Sequence, residues 1–393
     1  MYEFSDRVNN IKPSAIREMF KLMGDPEIIA FSGGNPAKES FEYDTIREIT
    51  TDLLAGEPSN LLQYGITEGY DPLREAYIKH ILEPKGLSAG LENILITTGG
   101  SQGLFISISA FLNEGDTVLI EAPTFLGTLM VFDYLNVNCV SVAMDENGIV
   151  LEDLEAKIKE HNPKMLYTIP TFQNPTGYTL SLDRRKRVAE LADEHGFIVL
   201  EDDPYCDLRY KGEALPPIKT FDKSGKVVML NSMSKIIAPG IRVGVVVAEP
   251  EIISKVTVAK QAIDTHTATL TQAICAEYLG RGLLPGHLER TTPMYRERLD
   301  TMLDGFKHFP SEVKFSKPEG GLFVWVTLPG EQDVDDIAKK AIAEKVAFVP
   351  GAPFFNDKSL AGSTLRLNFS ASTPDRIAIG MERLGKVITD NLK

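Results

Sequence analysis

Cysteine is scarce in this chain of 393 residues: Cys139, Cys206 and Cys275 stand far apart and form no Cys-x-x-Cys pair. Neither a disulfide framework nor a zinc site follows, and a reducing compartment is expected. Positive charge is in the minority, with 41 Lys and Arg against 55 Asp and Glu and a formal net charge of -14. A duplex-binding protein wants a basic face. The longest basic run, Arg184-Arg185-Lys186-Arg187, lies beside Val188, Ala189, Leu191 and Ala192, which reads as the solvated face of an amphipathic helix. Nucleic acid is therefore not an expected partner. No apolar stretch approaches the roughly 20 residues needed to span a bilayer. The start, Met1 to Arg7, has no basic region leading into an apolar core, so no signal peptide, no membrane and a cytoplasmic location are expected. The remaining composition, 43% hydrophobic and 24% charged, is ordinary for a globular protein. The length suits two domains, or one large domain with a satellite.

From Ile94 to Ala248 short β-rich runs alternate with helical ones. Strands are expected at Ile94 to Thr97, Thr117 to Ile120, Asn138 to Val142, Met165 to Ile169, Phe197 to Leu200, Val227 to Leu230 and Val243 to Val247. Helices are expected at Ser101 to Leu112, Phe125 to Leu135, Leu151 to His161 and Leu182 to His195. Near-continuous apolar strands suit a mostly parallel sheet covered on both faces, an α/β architecture. After Thr291 the pattern changes. Gly321 to Leu328 and Ala347 to Pro350 read as strands around a helix at Val334 to Lys345. Thr364 to Phe369 alternates, with Leu365, Leu367 and Phe369 on one face and Arg366 and Asn368 on the other, and a last helix covers Asp375 to Leu392. This part reads as a smaller α+β unit.

Polar residues gather just after the strands: Ser101 and Gln102, Asn174, Asp202 and Lys235. In open α/β sheets, ligands bind at the carboxyl ends of strands. Lys235 lies in Ser232-Met233-Ser234-Lys235, followed by Pro239-Gly240-Ile241-Arg242. A lysine forming a Schiff base beside a bound phosphate needs such a setting, where hydroxyls and a guanidinium hold the dianion and apolar walls favour the neutral amine. Alone, Ser-x-Ser-Lys is common. Gly99-Gly100-Ser101-Gln102 could turn helix-start N–H groups toward an anion, although a glycine pair is also an ordinary turn. Asp202-Asp203 could place a carboxylate against a ring nitrogen or could bind a divalent metal. Arg366 could pair bidentately with a substrate carboxylate or be a solvated arginine on an edge strand.

Taken together, from Ser14 to Arg366, these motifs resemble those of the fold type I pyridoxal-phosphate aminotransferases of class I and II. Pro13-Ser14-Ala15-Ile16-Arg17-Glu18 and Ser32-Gly33-Gly34-Asn35-Pro36 lean toward the kynurenine and 2-aminoadipate aminotransferase branch. The resemblance implies a large cofactor-binding domain, residues 42–290, with a mostly parallel seven-stranded sheet between helices. It also implies a small domain made of 1–41 and 291–393. The cofactor is then pyridoxal 5'-phosphate on Lys235, with no metal. Ser101, Gln102, Ser232, Ser234 and Arg242 would hold the phosphate, with Tyr64 reaching it from the other subunit of a homodimer. The Asp-x-Pro-Tyr spacing assigns Asp202 to the ring nitrogen and Tyr205 to the phenolic oxygen, which Asn174 of Asn-Pro-x-Gly would share. Phe125 would stack on the ring, where many relatives carry tyrosine or tryptophan. Arg366 and Gly34 would hold the substrate α-carboxylate, with Ser14 and Arg17 near its side chain.

The activity implied is a ping-pong transfer of an amino group from an aromatic, branched-chain or 2-aminoadipate-type L-amino acid to a 2-oxo acid such as 2-oxoglutarate. Two rivals share the pattern. A β-lyase of the same fold would release pyruvate and ammonia without an acceptor. The aminotransferase-like sensor domain of a transcription regulator would carry a winged-helix segment ahead of it, and the motifs here begin within the first forty residues.

Overall fold

The structure is a computed structural model that describes residues 2–11, 27–56 and 58–392. Ser14 and Arg17 lie outside the described residues. The expected alternation is present: β1 (Ile94–Thr97), α1 (Gly100–Phe111), β2 (Thr117–Ala122), α2 (Leu126–Leu135), β3 (Asn138–Asp145), β4 (Gly148–Ile149), α3 (Leu151–His161), β5 (Met165–Thr168), α4 (Leu182–His195), β6 (Ile198–Asp202), β7 (Val227–Ser232), β8 (Gly244–Val247) and α5 (Pro250–Gln261). The strands form one sheet in the order β1-β8-β7-β6-β5-β2-β3-β4. Pairs among β3, β2, β5, β6 and β7 are parallel, while β8 runs against both β7 and β1. The seven-stranded sheet is thus present, and the two-residue β4 folds back antiparallel on β3 to add an eighth strand at the edge.

The strands are apolar because both faces are covered. Met165 and Tyr167 of β5 enter one buried cluster, and Leu166 between them enters another. On β8, Val246 packs into the first cluster while Val245 and Val247 face a third. Alternate side chains of a strand point to opposite faces, so a helical layer on each side requires an unbroken apolar run.

A second sheet is built from β9 (Lys314–Phe315), β10 (Phe323–Thr327), β11 (Val349–Pro350) and β12 (Thr364–Asn368), all antiparallel, in the order β9-β10-β12-β11. The stretch expected as one strand at Ala347 to Pro350 is divided. Val346 and Ala347 pair in parallel with Ile29 and Ala30, whereas Val349 and Pro350 pair with β12. Strand β12 is internal, so Arg366 is 1% exposed and Asn368 is fully buried. The solvated edge-strand reading of Arg366 is excluded.

The basic run at Arg184 to Arg187 is also not a plain solvated face. Arg185 is completely buried on α4 and donates to the carbonyls of Leu180, Pro170 and Pro216 at 2.8, 2.7 and 3.1 Å. Arg184 forms a two-pronged pair with Asp145, and Arg187 pairs with Glu155 and Glu194. Helical periodicity placed Arg185 among polar neighbours, but the loops after β5 and before β7 present free carbonyls that only a long donor fork can satisfy. Among the described residues, no helix is long and apolar enough to cross a membrane.

Candidate active site

The parallel strands β1, β2, β5, β6 and β7 end along one edge of the sheet. Reversed β8 brings its starting residue to that same edge, where Gly244 pairs with both Thr97 and Ser232. A Cβ at Gly244 would lie 2.6 and 2.7 Å from the backbone of Gly99 and Gly100, so glycine there lets the strand approach the turn before α1. Arg242, two residues earlier, is thereby delivered to the start of α1. Gly99 has φ +79°, and a Cβ on it would collide with the Arg242 guanidinium. The result is a cavity of about 350 Å³ at the strand ends.

One end of the cavity suits an anion. Ser101 lines it from the first turn of α1, where backbone N–H groups lack intrahelical partners. Ser232 and Ser234 line it too, their hydroxyls 2.9 Å apart, and Arg242 completes the group. In the middle stand an amine and a carboxylate. Lys235 Nζ donates to the Gly34 carbonyl at 2.8 Å. Burial, reinforced by the positive charges of Arg366 and Arg242, brings its pKa down to about 8. Asp202 is 8% exposed and accepts at 2.8 Å from the Tyr167 hydroxyl. Burial pushes its pKa up to about 7; Tyr167 opposes the rise and neighbouring Asp203 adds to it. Asp203 has other surroundings: burial raises its pKa while the positive charges of Arg185 and Lys85 oppose the rise, and it does not line the cavity that Asp202 lines. Phe125 and Tyr205 bring aromatic surface to the same cavity.

Arg366 closes the other end. Its Nη1 donates to Asn174 Oδ1 at 2.8 Å, and its Nη2 to the Ser32 and Gly33 carbonyls at 2.8 and 3.2 Å. The guanidinium lies between Phe323 and Phe354, 4.3 and 4.9 Å from the ring centroids. Burial lowers its pKa to about 10, so it remains a cation at neutral pH. Its Nε is buried without a partner. A buried donor left unsatisfied costs free energy that an incoming carboxylate would recover.

Two expected residues stand apart from the cavity. Gln102 is turned away from it: its amide donates to Asp264 and accepts from the Thr98 N–H, both at 2.8 Å. The side chain therefore braces the turn from behind instead of facing an anion. Tyr64 is 80% exposed and meets the His266 ring edge-on at 5.9 Å. Sequence reasoning did not single out Tyr167, Phe323 or Phe354, whose apolar strand and loop surroundings read as core. It also missed Glu121, a buried carboxylate at the end of β2 that accepts from Thr168, the Ile169 N–H and Gln173. Gln173 in turn donates to the Pro123 carbonyl and accepts from Thr176. One side-chain amide thus ties the loop carrying Phe125 to the turn carrying Asn174.

The donor set matches pyridoxal phosphate. Hydroxyls, a guanidinium and a helix start suit the dianion, and buried Asp202 suits a protonated ring nitrogen, whose charge would compensate its own desolvation. Comparison with known proteins leads the same way. Residues 26–384 match the family model described as aminotransferase class I and II. The chain is 40% identical to aromatic-amino-acid aminotransferase 1 of Thermococcus litoralis, covering 99% of this chain and 95% of that one. A kynurenine aminotransferase of Pyrococcus horikoshii, crystallised with PMP, superposes with a TM-score of 0.95 at 39% identity, over 99% of this chain and 98% of the other. An α-aminoadipate aminotransferase of Thermus thermophilus complexed with N-(5'-phosphopyridoxyl)-L-leucine gives 0.91 at 36% identity, over 98% and 97%. Strand order, site chemistry and full-length similarity agree: the chain belongs to the class I and II aminotransferases and is a pyridoxal-phosphate-dependent aminotransferase of fold type I.

Proposed function

We propose that the cavity is the cofactor site and that Lys235 carries pyridoxal phosphate covalently. Ser101, Ser232, Ser234, Arg242 and the start of α1 hold its phosphate, Asp202 its ring nitrogen, Tyr205 and Asn174 its phenolic oxygen, and Phe125 its ring face. A second copy of the chain adds Tyr64 in a homodimer working in the cytoplasm. The large domain is 42–290 and the small one comprises 1–41 and 291–393. When bound, the cofactor supplies an aldehyde carbon and an electron-withdrawing ring. The observation that carries this reading is the meeting of Lys235, Asp202 and Arg366 in one cavity from three separate parts of the chain.

In this reading Arg366, with Gly34, holds the α-carboxylate of the substrate and so fixes which bond at Cα faces Lys235. The Lys235 amine, with a pKa near 8, carries a proton in one step and releases it in the next at physiological pH. The amino group passes from an aromatic, branched-chain or 2-aminoadipate-type L-amino acid to 2-oxoglutarate in two half-reactions. The named relatives, together with the apolar walls from Leu126, Ile169 and Phe323, support these donor classes. The test is a donor panel with 2-oxoglutarate, run on wild type and Lys235→Ala. Glutamate should form with wild type alone, and borohydride should fix the cofactor to the peptide containing Lys235. Turnover by Lys235→Ala at the wild-type rate would remove Lys235 from the mechanism.

A further inference from the structure

Lys260 is fully buried on α5, which is unusual for a lysine unless its charge is matched. Its amine pairs with Asp264 one turn on, in the segment that follows the helix. The second oxygen of that carboxylate, Oδ2, accepts from two side chains at 2.8 Å each, the Thr98 hydroxyl and the Gln102 amide. Gln102 Oε1 then accepts from the Thr98 N–H at 2.8 Å, and the Thr98 hydroxyl is also 3.1 Å from that of Thr267. Thr98 and Gln102 bracket Gly99, Gly100 and Ser101. One carboxylate therefore grips both ends of the turn that leads into α1.

The grip matters because that turn contains two adjacent glycines, the residues with the most backbone freedom to lose. Cofactor phosphate can use the N–H groups at the start of α1 only when they converge. If the turn were loose, ordering it would subtract from binding; if it is held beforehand, that loss is avoided. Arg242 Nη2 in addition donates to the Thr98 carbonyl at 3.5 Å, so the same brace borders the guanidinium.

We propose that Asp264, set by buried Lys260 and acting through Thr98 and Gln102, is a positioning residue that pre-forms the phosphate cradle. The inference rests on the assignment of the cradle made above. It gives Gln102 a role without contact to the phosphate, and it assigns work to three residues outside the cavity.

The test compares the affinity of the full-length apo chain for pyridoxal phosphate and for pyridoxal, which lacks the phosphate. Thr98→Val, Gln102→Met and Asp264→Asn should each weaken pyridoxal phosphate by about tenfold or more while leaving pyridoxal unchanged. Thr98→Val keeps the side-chain shape and loses only the hydroxyl, so it remains informative if Asp264→Asn fails to fold. Arg242→Ala is the control for the cradle itself and should show the same selective loss. If Arg242→Ala loses selectivity but the three variants do not, or if they weaken both ligands alike, the positioning role is wrong. Should Arg242→Ala also keep the wild-type ratio, the cradle assignment falls and the inference with it.

Discussion

The Tyr167 hydroxyl donates to Asp202 Oδ2 across 2.8 Å, from the middle of β5 to the last residue of β6. Tyr167 lies opposite Leu200 in the parallel register, and Asp202 is two residues further along on the same face. The bond favours the charged form of a carboxylate that burial otherwise pushes toward neutrality. Tyr167→Phe should therefore raise the Asp202 pKa above its value of about 7 and move the acidic limit of kcat/KM to higher pH. A pH–rate profile checks this. A uniform loss at every pH, with the limb unmoved, would make Tyr167 a packing residue only.

Arg366→Ala should reduce kcat/KM for amino and 2-oxo acids by about a hundredfold or more, through loss of a charge-assisted contact and of substrate alignment. Amines without a carboxylate should be spared. Comparing an amino acid with its decarboxylated amine in the first half-reaction separates the two effects. Equal losses for both would assign Arg366 to holding Asn174 and the Ser32–Gly33 segment together instead.

Glu121 is a carboxylate whose burial raises its pKa to about 7, against about 4.3 for an unfolded glutamate. Between those values the native state binds the proton more tightly than the unfolded chain does. Its stabilising contribution is thus complete below pH 4 and is lost as pH rises through 7, a change of up to about 4 kcal/mol. Glu121→Gln cannot titrate, so the variant should lose less stability than wild type between pH 5.5 and 8 in urea unfolding. Identical pH slopes for the two proteins would contradict this.

Gly99→Ala should destabilise the protein by about 1–3 kcal/mol from the backbone alone, because φ +79° with ψ 165° is a conformation that only glycine adopts readily. The new methyl group would also displace Arg242. Cofactor affinity should fall along with the melting temperature, whereas alanine at Gly196, which also has positive φ but open space around it, should lower stability only. Dialysis against pyridoxal phosphate and thermal unfolding read the two quantities independently.

The lysine motif is legible in the chain because its chemistry is local: Ser232, Ser234, Lys235 and Arg242 fall within eleven residues at the end of an apolar strand. The parallel sheet is legible for a related reason, since strands covered on both faces must be apolar throughout. Gln102 shows where such reading stops. Its position after a glycine pair was visible, but the carboxylate that turns it away is 162 residues distant.

The order of chemical groups along the chain, by itself, determined the family, the cofactor and the strand ends at which reactive side chains gather. Folding alone decided which of those groups share a cavity, that Arg366 is buried between two phenylalanines, that Arg185 is core, and that Tyr167 serves Asp202. Local motifs survive as patterns because backbone geometry ties neighbours together. A pairing between distant segments leaves no such trace, because packing and desolvation select it only once the sheets have formed.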